Sequence, residues 1–228
     1  YVEGPGGLIS LEDRFSIEGE VVSNYHLAYV SSYNGTILNV LLSFLSKDYN
    51  AYPETKESGT NKEVDFRNHL LLEEANQDAL IYAYLKAGKE VNINSEEVYI
   101  TYIDELAKTD LKVGDRLVSM DGVLIDSKED VKEKIEEKEV DDKISFQVIN
   151  DGKEYTRYAY VIEIEDKKVI GVLPTLKRSI EIYPTIDFTF EASESGSSGG
   201  FMTSLAIYDL LTEEDIAHGL KIAGTGTI

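Results

Sequence analysis

The chain has 228 residues, 42% of them hydrophobic, which is enough for one large domain or two ordinary domains with a packed core. Its 43 acidic and 22 basic side chains give a net charge of −21, which repels nucleic-acid phosphates and anionic lipid surfaces alike. We therefore expect no nucleic acid among its partners. The absence of cysteine excludes disulfides, thiolate zinc sites and a cysteine nucleophile.

The sequence contains no apolar stretch long enough to predict a membrane-spanning helix. The longest apolar stretch, residues 36–45, is about half as long as the ~20 residues that a membrane-spanning helix needs. No basic segment followed by an apolar one indicates a signal peptide. The chain begins at Tyr1 and stops at Ile228 in a strand-like run, so we expect both ends to be boundaries within a longer protein.

The N-terminal third mixes strand and helix signals. Residues 4–7, Gly-Pro-Gly-Gly, predict a turn, and β-rich segments follow from Phe15 to Val30. The run from Thr36 to Leu45 has apolar residues at helical spacing and predicts a helix with a buried face. After a polar loop, the Leu- and Ala-rich residues 65–86 predict a second, longer helix.

From residue 91 to about 165 the chain changes to short strands, a charged helix and tight turns. Asp151-Gly152 lies between two β-rich runs and predicts a hairpin over residues 144–162. Strand-like residues then continue through Thr189. We expect residues 91 to about 165, the middle segment, to be a module of its own.

The middle segment carries a signature followed by a helix. Residues 111–122 read LKVGDRLVSMDG, and the charged run 126–143 follows. This pattern resembles a PDZ domain of the bacterial protease-associated type. The resemblance implies a partly open β-barrel with a helix, in which an extended peptide pairs with an exposed strand. Taken alone, Gly114-Asp115 and Asp121-Gly122 also fit turns of another β-rich domain.

The same resemblance implies which residues line the peptide groove. The strand is Val98, Tyr99 and Ile100, and Val131 and Ile135 face it from the helix. Glu96 and Glu97 precede the strand, in the family's carboxylate-binding loop, and Glu97 stands where a glycine is usual. Because they add negative charge there, internal or unfolded segments suit the groove better than an anionic terminus. The acidic helix is typical of a solvated face, and we expect no metal site in it.

A glycine and serine cluster precedes a helical pattern at residues 201–211. Gly196, Ser197, Ser198, Gly199 and Gly200, followed by Phe-Met, resemble the nucleophile motif of Lon peptidases, Gly-Pro-Ser-Ala/Gly-Gly-Leu-Met. The match implies that Ser198 is the nucleophile and that the other four residues form its turn and oxyanion site. A serine at a helix N-terminus lies near backbone N–H groups and the positive end of the helix dipole, which can stabilise an oxyanion.

Two later segments resemble the same family in the same order. They are LTEEDI at residues 211–216 and KIAGTGTI at residues 221–228. Ser197 stands where the family has proline, which leaves Ser197 open as a rival nucleophile. Without its neighbours, the segment 193–200 also fits a flexible linker.

The family activates its serine with a lysine that must lose a proton in a partly desolvated site. By the resemblance this lysine lies beyond Ile228, so we expect the present chain to be inactive as a peptidase on its own. Lys221 precedes the Ile-Ala-Gly-Thr-Gly-Thr match and is interpreted as a surface lysine. The histidines show no metal-ligand spacing, and a His69–Ser198 pair stays open.

Together these matches identify the chain as similar to the PDZ-containing, membrane-anchored Lon-like serine peptidases of bacteria. The resemblance implies an α+β fold. Residues 1–90 form an α/β segment packed with the peptidase half, 91–165 the PDZ domain, and 166–228 the first part of an incomplete Lon-type α/β peptidase domain. The PDZ domain is joined to that domain or inserted in it.

The implied function is an ATP-independent serine endopeptidase with a Ser-Lys dyad, acting on exported peptides or unfolded proteins and needing no cofactor. No phosphate-binding loop motif occurs in the chain. The resemblance also implies a place at the cell membrane, on the extracytoplasmic side, anchored by an N-terminal helix outside this chain. Lon-type domains often assemble in rings, which leaves a homo-oligomer open.

Two other hypotheses stay open. The first is a non-catalytic PDZ adaptor whose peptidase half is a degenerate scaffold. The second is a secreted binding protein with a linker at residues 193–200. The peptidase hypothesis implies a peptide or protein substrate as the partner, and the adaptor hypothesis a partner bound by the PDZ domain.

Overall fold

The structure is a computed structural model that describes residues 1–12, 14–17, 20–21, 24–52, 59–189, 198–213 and 215–228. The helices are α1 (Ile37–Leu45), α2 (Asn61–Lys86), α3 (Lys128–Glu136) and α4 (Gly200–Leu211). The strands are β1 (Val2–Ser10), β2 (Phe15–Ile17), β3 (Glu20–Val21), β4 (Tyr25–Tyr33), β5 (Asn50–Ala51), β6 (Val91–Ile103), β7 (Arg116–Met120), β8 (Val123–Leu124), β9 (Lys143–Asn150), β10 (Lys153–Tyr160), β11 (Ile162–Ile164), β12 (Lys167–Val169), β13 (Val172–Ile182), β14 (Ile186–Phe188) and β15 (Ile222–Gly224). The predicted mixed α+β class is confirmed.

The chain divides into two compact units. The first comprises Tyr1–Glu57, Asp78–Val91 and Ile182–Ile228, and the second comprises Ser58–Gln77 and Asn92–Glu181. The second unit is therefore inserted into the first along the sequence. Because α2 and β13 each contribute to both units, these bounds differ from the predicted division at residues 90 and 165.

The first unit contains a four-stranded sheet in the order β15-β4-β1-β5 and a three-stranded sheet in the order β14-β2-β3. Strand β15 runs parallel to β4, and β1 runs antiparallel to it. Helix α4 and the C-terminal part of α2 supply much of the core. Its fully buried side chains include Leu11, Tyr25, Tyr84, Met202 and Ile207.

The glycine-rich segment at the start of the chain lies within a strand, so the predicted turn there is wrong. The register of β1 against β4 shifts between Gly4 and Gly7, which marks a β-bulge. A Cβ on Gly6 would lie 1.6 Å from the carbonyl oxygen of Tyr29. The two strands can approach this closely only because residue 6 is glycine, and composition alone does not separate that role from a turn.

Helix α1 forms where the apolar spacing predicts it. Thr36 is its N-cap and accepts a hydrogen bond from the Asn39 N–H. The predicted buried face is wrong, because no residue of α1 is buried, and Ile37 and Phe44 are 83% and 80% exposed. Apolar periodicity predicts which side chains share a face, but it does not show that another element covers that face.

Helix α2 begins four residues before the predicted start at Asp65. The Thr60 N–H donates to the Glu63 carboxylate at 2.6 Å, and the Glu63 N–H donates to the Thr60 hydroxyl at 3.4 Å. This reciprocal pair is a capping box, which satisfies two of the backbone donors that a helix start leaves open. The helix ends at Lys86, the residue at which the sequence predicted its end.

The second unit contains a six-stranded sheet in the order β10-β9-β7-β6-β13, with β8 paired to β7. The predicted hairpin is confirmed as β9 and β10, around Asp151 and Gly152, which have φ angles of 49° and 72°. Helix α3 starts with a capping box between Ser127 and Asp130. Among the described residues, none of the helices combines the length and the apolar character needed to cross a bilayer.

Candidate functional site

Asp115 of the signature fixes the turn that leads into β7. Its side chain is fully buried, and its carboxylate accepts hydrogen bonds from the Lys112 N–H and the Asn150 side-chain amide, both at 2.7 Å. The Nε of Arg157 lies 3.2 Å from the same carboxylate. A buried carboxylate needs such partners, so this residue joins the turn to the β9–β10 hairpin.

Asp121 and Gly122 form the tight turn between β7 and β8, with φ angles of 48° and 80°. The Asp121 carboxylate accepts hydrogen bonds from Lys138 Nζ at 2.6 Å and from the Ser145 N–H at 2.9 Å. Burial raises the pKa of Asp121, but these hydrogen bonds outweigh burial and bring the pKa below its usual value. The turn thus joins β7, β9 and the segment that follows α3.

The predicted peptide-binding strand lies inside the sheet. Val98, Tyr99 and Ile100 belong to β6, which has β7 on one side and β13 on the other. Val98 and Ile100 are buried in the core of the unit. A peptide could pair with these residues only if a neighbouring strand were displaced.

The helix residues predicted for the groove face the same core. Val131 and Ile135 are 3% and 7% exposed, and they belong to one buried cluster with Leu176 of β13. Helix α3 is therefore anchored by its apolar face. Its polar first residue, Lys128, forms an ion pair with Glu74 of α2.

The two glutamates predicted to lie in a carboxylate-binding loop lie within β6, so that placement is wrong. Strand β6 begins at Val91, before both of them. Glu96 accepts a hydrogen bond from Arg178 Nε at 2.7 Å, and Glu97 lies 3.2 Å from Arg116. Each glutamate therefore has a positively charged neighbour.

The outer strand beside β6 is β13, which lies at one end of the sheet order. Its third residue is Pro174, which has no N–H to donate and is typical of an edge strand. The Leu176 N–H donates to the Glu74 carboxylate at 3.0 Å. The Arg178 N–H donates to Gln77 Oε1 at 3.0 Å, and Gln77 Nε2 donates to the Arg178 carbonyl at 2.9 Å.

These contacts place side chains of α2 along the outer edge of β13. Glu74 also forms an ion pair with Lys128, the first residue of α3. The Glu74 carboxylate therefore bridges the edge of β13 and the start of α3. A slot between an edge strand and a helix is the geometry in which strand-adding peptides bind.

In the first unit, Ser198 lies in a turn two residues before the start of α4. The serine is exposed, and its carbonyl oxygen accepts hydrogen bonds from the Gly226 N–H at 2.6 Å and from the Thr225 hydroxyl at 3.0 Å. The Phe201 N–H in turn donates to the Gly226 carbonyl at 3.0 Å. The motif around Ser198 and the final segment 221–228, two of the three segments that resemble Lon peptidases, are therefore hydrogen-bonded to each other.

The glycines around Ser198 allow close packing. A Cβ on Gly199 would lie 3.3 Å from a methyl group of Leu27, and a Cβ on Gly224 would lie 3.0 Å from the sulfur of Met202. Gly200 is buried as the first residue of α4. Gly196 and Ser197, the other predicted members of the turn, lie outside the described residues.

Tyr25 anchors the strand beside this turn. It is buried in β4, opposite Ile222 of β15. Burial raises the pKa of its hydroxyl, and the negative charge of Asp209 on α4 raises it further. Tyr25 is therefore a neutral, structural residue at ordinary pH. Within the described ranges, no group of acidic or histidine side chains is arranged to hold a metal ion.

Comparison with protein families identifies one domain of the chain. Residues 75–157 match the family model of the PDZ domain. The chain therefore contains a PDZ domain, a module that recognises peptides or protein C-termini. No curated protein matches the chain significantly.

Sequence reasoning missed the side chains on the edge of β13. Strand β13 follows the residues that match the family model, yet it is hydrogen-bonded into the same sheet. The signal that could have found this edge is Pro174 within a β-rich run, since proline is confined to edge strands and bulges. Nothing in the sequence near Glu74 and Gln77 indicates that they reach β13, because that contact spans about a hundred residues.

Proposed function

We propose that this protein is a serine endopeptidase in which the PDZ domain recruits peptides or unfolded protein segments and Ser198 is the nucleophile. The observation that carries the proposal is the hydrogen-bonded turn of Ser198, Thr225 and Gly226 at the start of α4. It joins two separate segments that resemble Lon peptidases around one exposed serine.

The turn supports acyl-transfer chemistry at Ser198. Ser198 precedes α4 by two residues, and the positive end of a helix dipole can stabilise a developing oxyanion nearby. The serine oxygen would attack the peptide carbonyl while the general base takes its proton. The tetrahedral intermediate would then break its C–N bond, and the protonated base would give the proton to the leaving amine. Water, deprotonated by the same base, would hydrolyse the acyl-enzyme and release the serine. By the resemblance the base is a lysine beyond Ile228.

For recruitment we place the peptide on the outer edge of β13 rather than on β6. Both sides of β6 are occupied by strands, whereas β13 ends the sheet and lies beside the start of α3 through the Glu74–Lys128 bridge. An extended peptide in that slot would extend the sheet by one strand and direct alternate side chains toward α3.

We also propose that the protein acts on the extracytoplasmic side of the cell membrane, held there by a helix outside this chain. The proposal is supported by the resemblance of the signature at residues 111–122 and of the segments at 196–202 and 221–228 to the PDZ-containing, membrane-anchored Lon-like peptidases of bacteria. Labelling intact cells with a membrane-impermeant amine reagent tests this. Modification of surface lysines such as Lys153 before lysis is expected, and labelling only after lysis would contradict the proposal.

The catalytic proposal is tested on the full-length protein with an unfolded, fluorescence-quenched casein substrate in the absence of ATP. Cleavage that Ser198→Ala abolishes and Ser197→Ala retains would establish the peptidase and its nucleophile. The opposite pattern would assign the nucleophile to Ser197. If the wild-type protein binds casein without cleaving it, the protein is better described as a non-catalytic PDZ adaptor. Ser197, which replaces the proline of the Lon motif, is the residue that favours this alternative.

A further inference from the structure

The contact between Gln77 and Arg178 has the form of a strand pairing. Residues that pair in an antiparallel ladder can exchange both N–H···O bonds. The Gln77 side-chain amide does the same with the main chain of Arg178, accepting from its N–H at 3.0 Å and donating to its carbonyl at 2.9 Å. One side-chain amide thus takes the place of one peptide group of an added strand.

Glu74 takes the place of a second acceptor of an added strand. It accepts from the Leu176 N–H, two residues before Arg178 and therefore on the same edge of β13. Residues three apart on a helix lie about 5–6 Å apart. Residues two apart on a strand lie about 6.5 Å apart. The spacing of Glu74 and Gln77 on α2 therefore nearly matches the spacing of the outward groups of β13.

The N-terminal half of α2 is held partly by apolar contacts, since Leu70 is buried and the Phe66 ring packs against Tyr99 of β6.

The described polar contacts of this half of α2 with the β13 edge are few. Besides the three main-chain bonds, Glu74 pairs with Lys128, and Glu73 lies 3.5 Å from the half-exposed Lys177. The two hydrogen bonds of Gln77 are neutral and the Glu73–Lys177 pair is partly exposed, so each contributes little net stability. The contacts of the Glu74 carboxylate are charge-assisted and largely buried, so Glu74 is the stronger of the two anchors. A helix cannot continue the ladder beyond these groups, whereas an extended peptide can pair with further residues of the same edge.

We infer that residues 61–77 of α2 are an autoinhibitory occupant of the PDZ groove, in which Glu74 and Gln77 stand in for the main chain of a bound peptide. A peptide reaches β13 only when this half of the helix moves away. The inference rests on the proposed function, which places the peptide on this edge. Its consequence is a reduced apparent affinity, because only the fraction of molecules with an open groove can bind.

The test measures binding of fluorescein-labelled, carboxymethylated α-lactalbumin, a permanently unfolded chain, by fluorescence anisotropy. Wild-type protein is compared with Glu74→Ala, Gln77→Ala and the double variant. Asp65→Ala is the matched control, because Asp65 is exposed on the same half of α2. Gln77→Glu and Glu74→Gln are conservative variants that keep the acceptor of each contact, should the alanine variants fold poorly.

Hydrogen exchange of the Leu176 and Arg178 amides is followed by NMR in the same samples. We expect both amides to be protected in the wild type and exposed in the double variant. We expect the double variant to bind the probe at least about tenfold more tightly, and Asp65→Ala to bind like the wild type. Each conservative variant should fall between them, because it removes only part of its contact.

The outcomes separate this inference from the proposed function. Equal binding by the wild type and all variants would overturn autoinhibition while leaving the peptide-binding role intact. Freely exchanging Leu176 and Arg178 amides in the wild type would overturn the occupancy itself. Absence of probe binding in every variant, with both amides exposed in the double variant, would reject β13 as the peptide edge and the inference with it.

Discussion

The main-chain N–H of Gly226 donates a hydrogen bond to the carbonyl oxygen of Ser198 at 2.6 Å. This bond joins residues that are far apart in sequence and fixes the backbone just before α4. The Thr225 hydroxyl donates to the same oxygen. The Gly-Thr-Gly-Thr segment thus supports the proposed nucleophile without supplying a reacting group.

Thr225→Val removes one of these two hydrogen bonds and keeps the shape of the side chain. Because a neutral hydrogen bond contributes about 1 kcal/mol, we expect kcat for casein cleavage by the full-length protein to fall about fivefold. KM should stay the same, since Thr225 positions the serine and does not bind substrate. Thr227→Val, at an exposed position nearby, is the control and should leave kcat unchanged. A change in KM alone would argue against a positioning role.

Asp115→Ala leaves the Arg157 guanidinium and the Asn150 amide without their buried partner. Breaking such a buried network costs about 3 kcal/mol or more of unfolding free energy. Urea denaturation, followed by the tyrosine signal, measures this. Lys108→Ala is the control, because it breaks only the exposed pair with Asp141 and should cost less than about 1 kcal/mol. Equal losses for the two variants would show that Asp115 is not a structural anchor.

Asp121 makes the stability of the PDZ domain depend on pH in the acidic range. Its folded pKa lies below the usual value, so the stability it contributes is present above the unfolded pKa and is lost as pH falls through the folded pKa. Asp121→Asn keeps the left-handed turn, which asparagine tolerates, and removes the titrating group. We expect the wild type to have the higher Tm at pH 7 and the difference to shrink by pH 3. A difference that is independent of pH would contradict this assignment.

Gly6→Ala tests the close approach of β1 and β4. The added Cβ would overlap the Tyr29 carbonyl, so the strands must separate, at a cost of about 1–3 kcal/mol. Gly35→Ala is the matched control, because a Cβ there would meet no atom nearer than 3.4 Å. Thermal unfolding of both variants measures the difference. A Tm for Gly6→Ala equal to that of Gly35→Ala would mean that the bulge is not a close contact.

Thr60→Ala acts on the groove without touching it. It removes half of the capping box and weakens the start of α2 by about 1 kcal/mol. If the N-terminal half of α2 closes the groove, this loss should tighten binding of the unfolded probe several-fold. Asp65→Ala again serves as the control within the helix. Unchanged affinity together with a lower helix content would disconnect α2 from peptide binding.

The sequence predicts local structure well where the signal itself is local. Asp151-Gly152 sets its hairpin, Thr36 begins its helix, and the signature around Asp115 matches the PDZ family. Contacts distant in sequence were not predictable. The strand that borders β6 on its outer side comes from residues 172–182, and the helix on that strand comes from residues 61–86, so sequence spacing does not show that they meet.

Residue type also fails to show which surface is covered. The apolar stripe of α1 has the spacing of a packed helix, yet it is exposed, and Gly6 looks like a turn residue but serves a bulge. Composition limits the structures that a segment can adopt, and the elements that pack against the segment determine which of these structures forms. The identity of Ser198 as the nucleophile remains a prediction from resemblance, supported by the turn that holds it.

Covalent capture of the nucleophile tests the central claim most directly. The full-length protein is treated with a peptide that ends in a β-lactone, which acylates reactive serines, and the labelled residue is located by tandem mass spectrometry. The account predicts one label, on Ser198, and none when the protein is unfolded beforehand. A label on Ser197 or elsewhere, or no label at all, would contradict it.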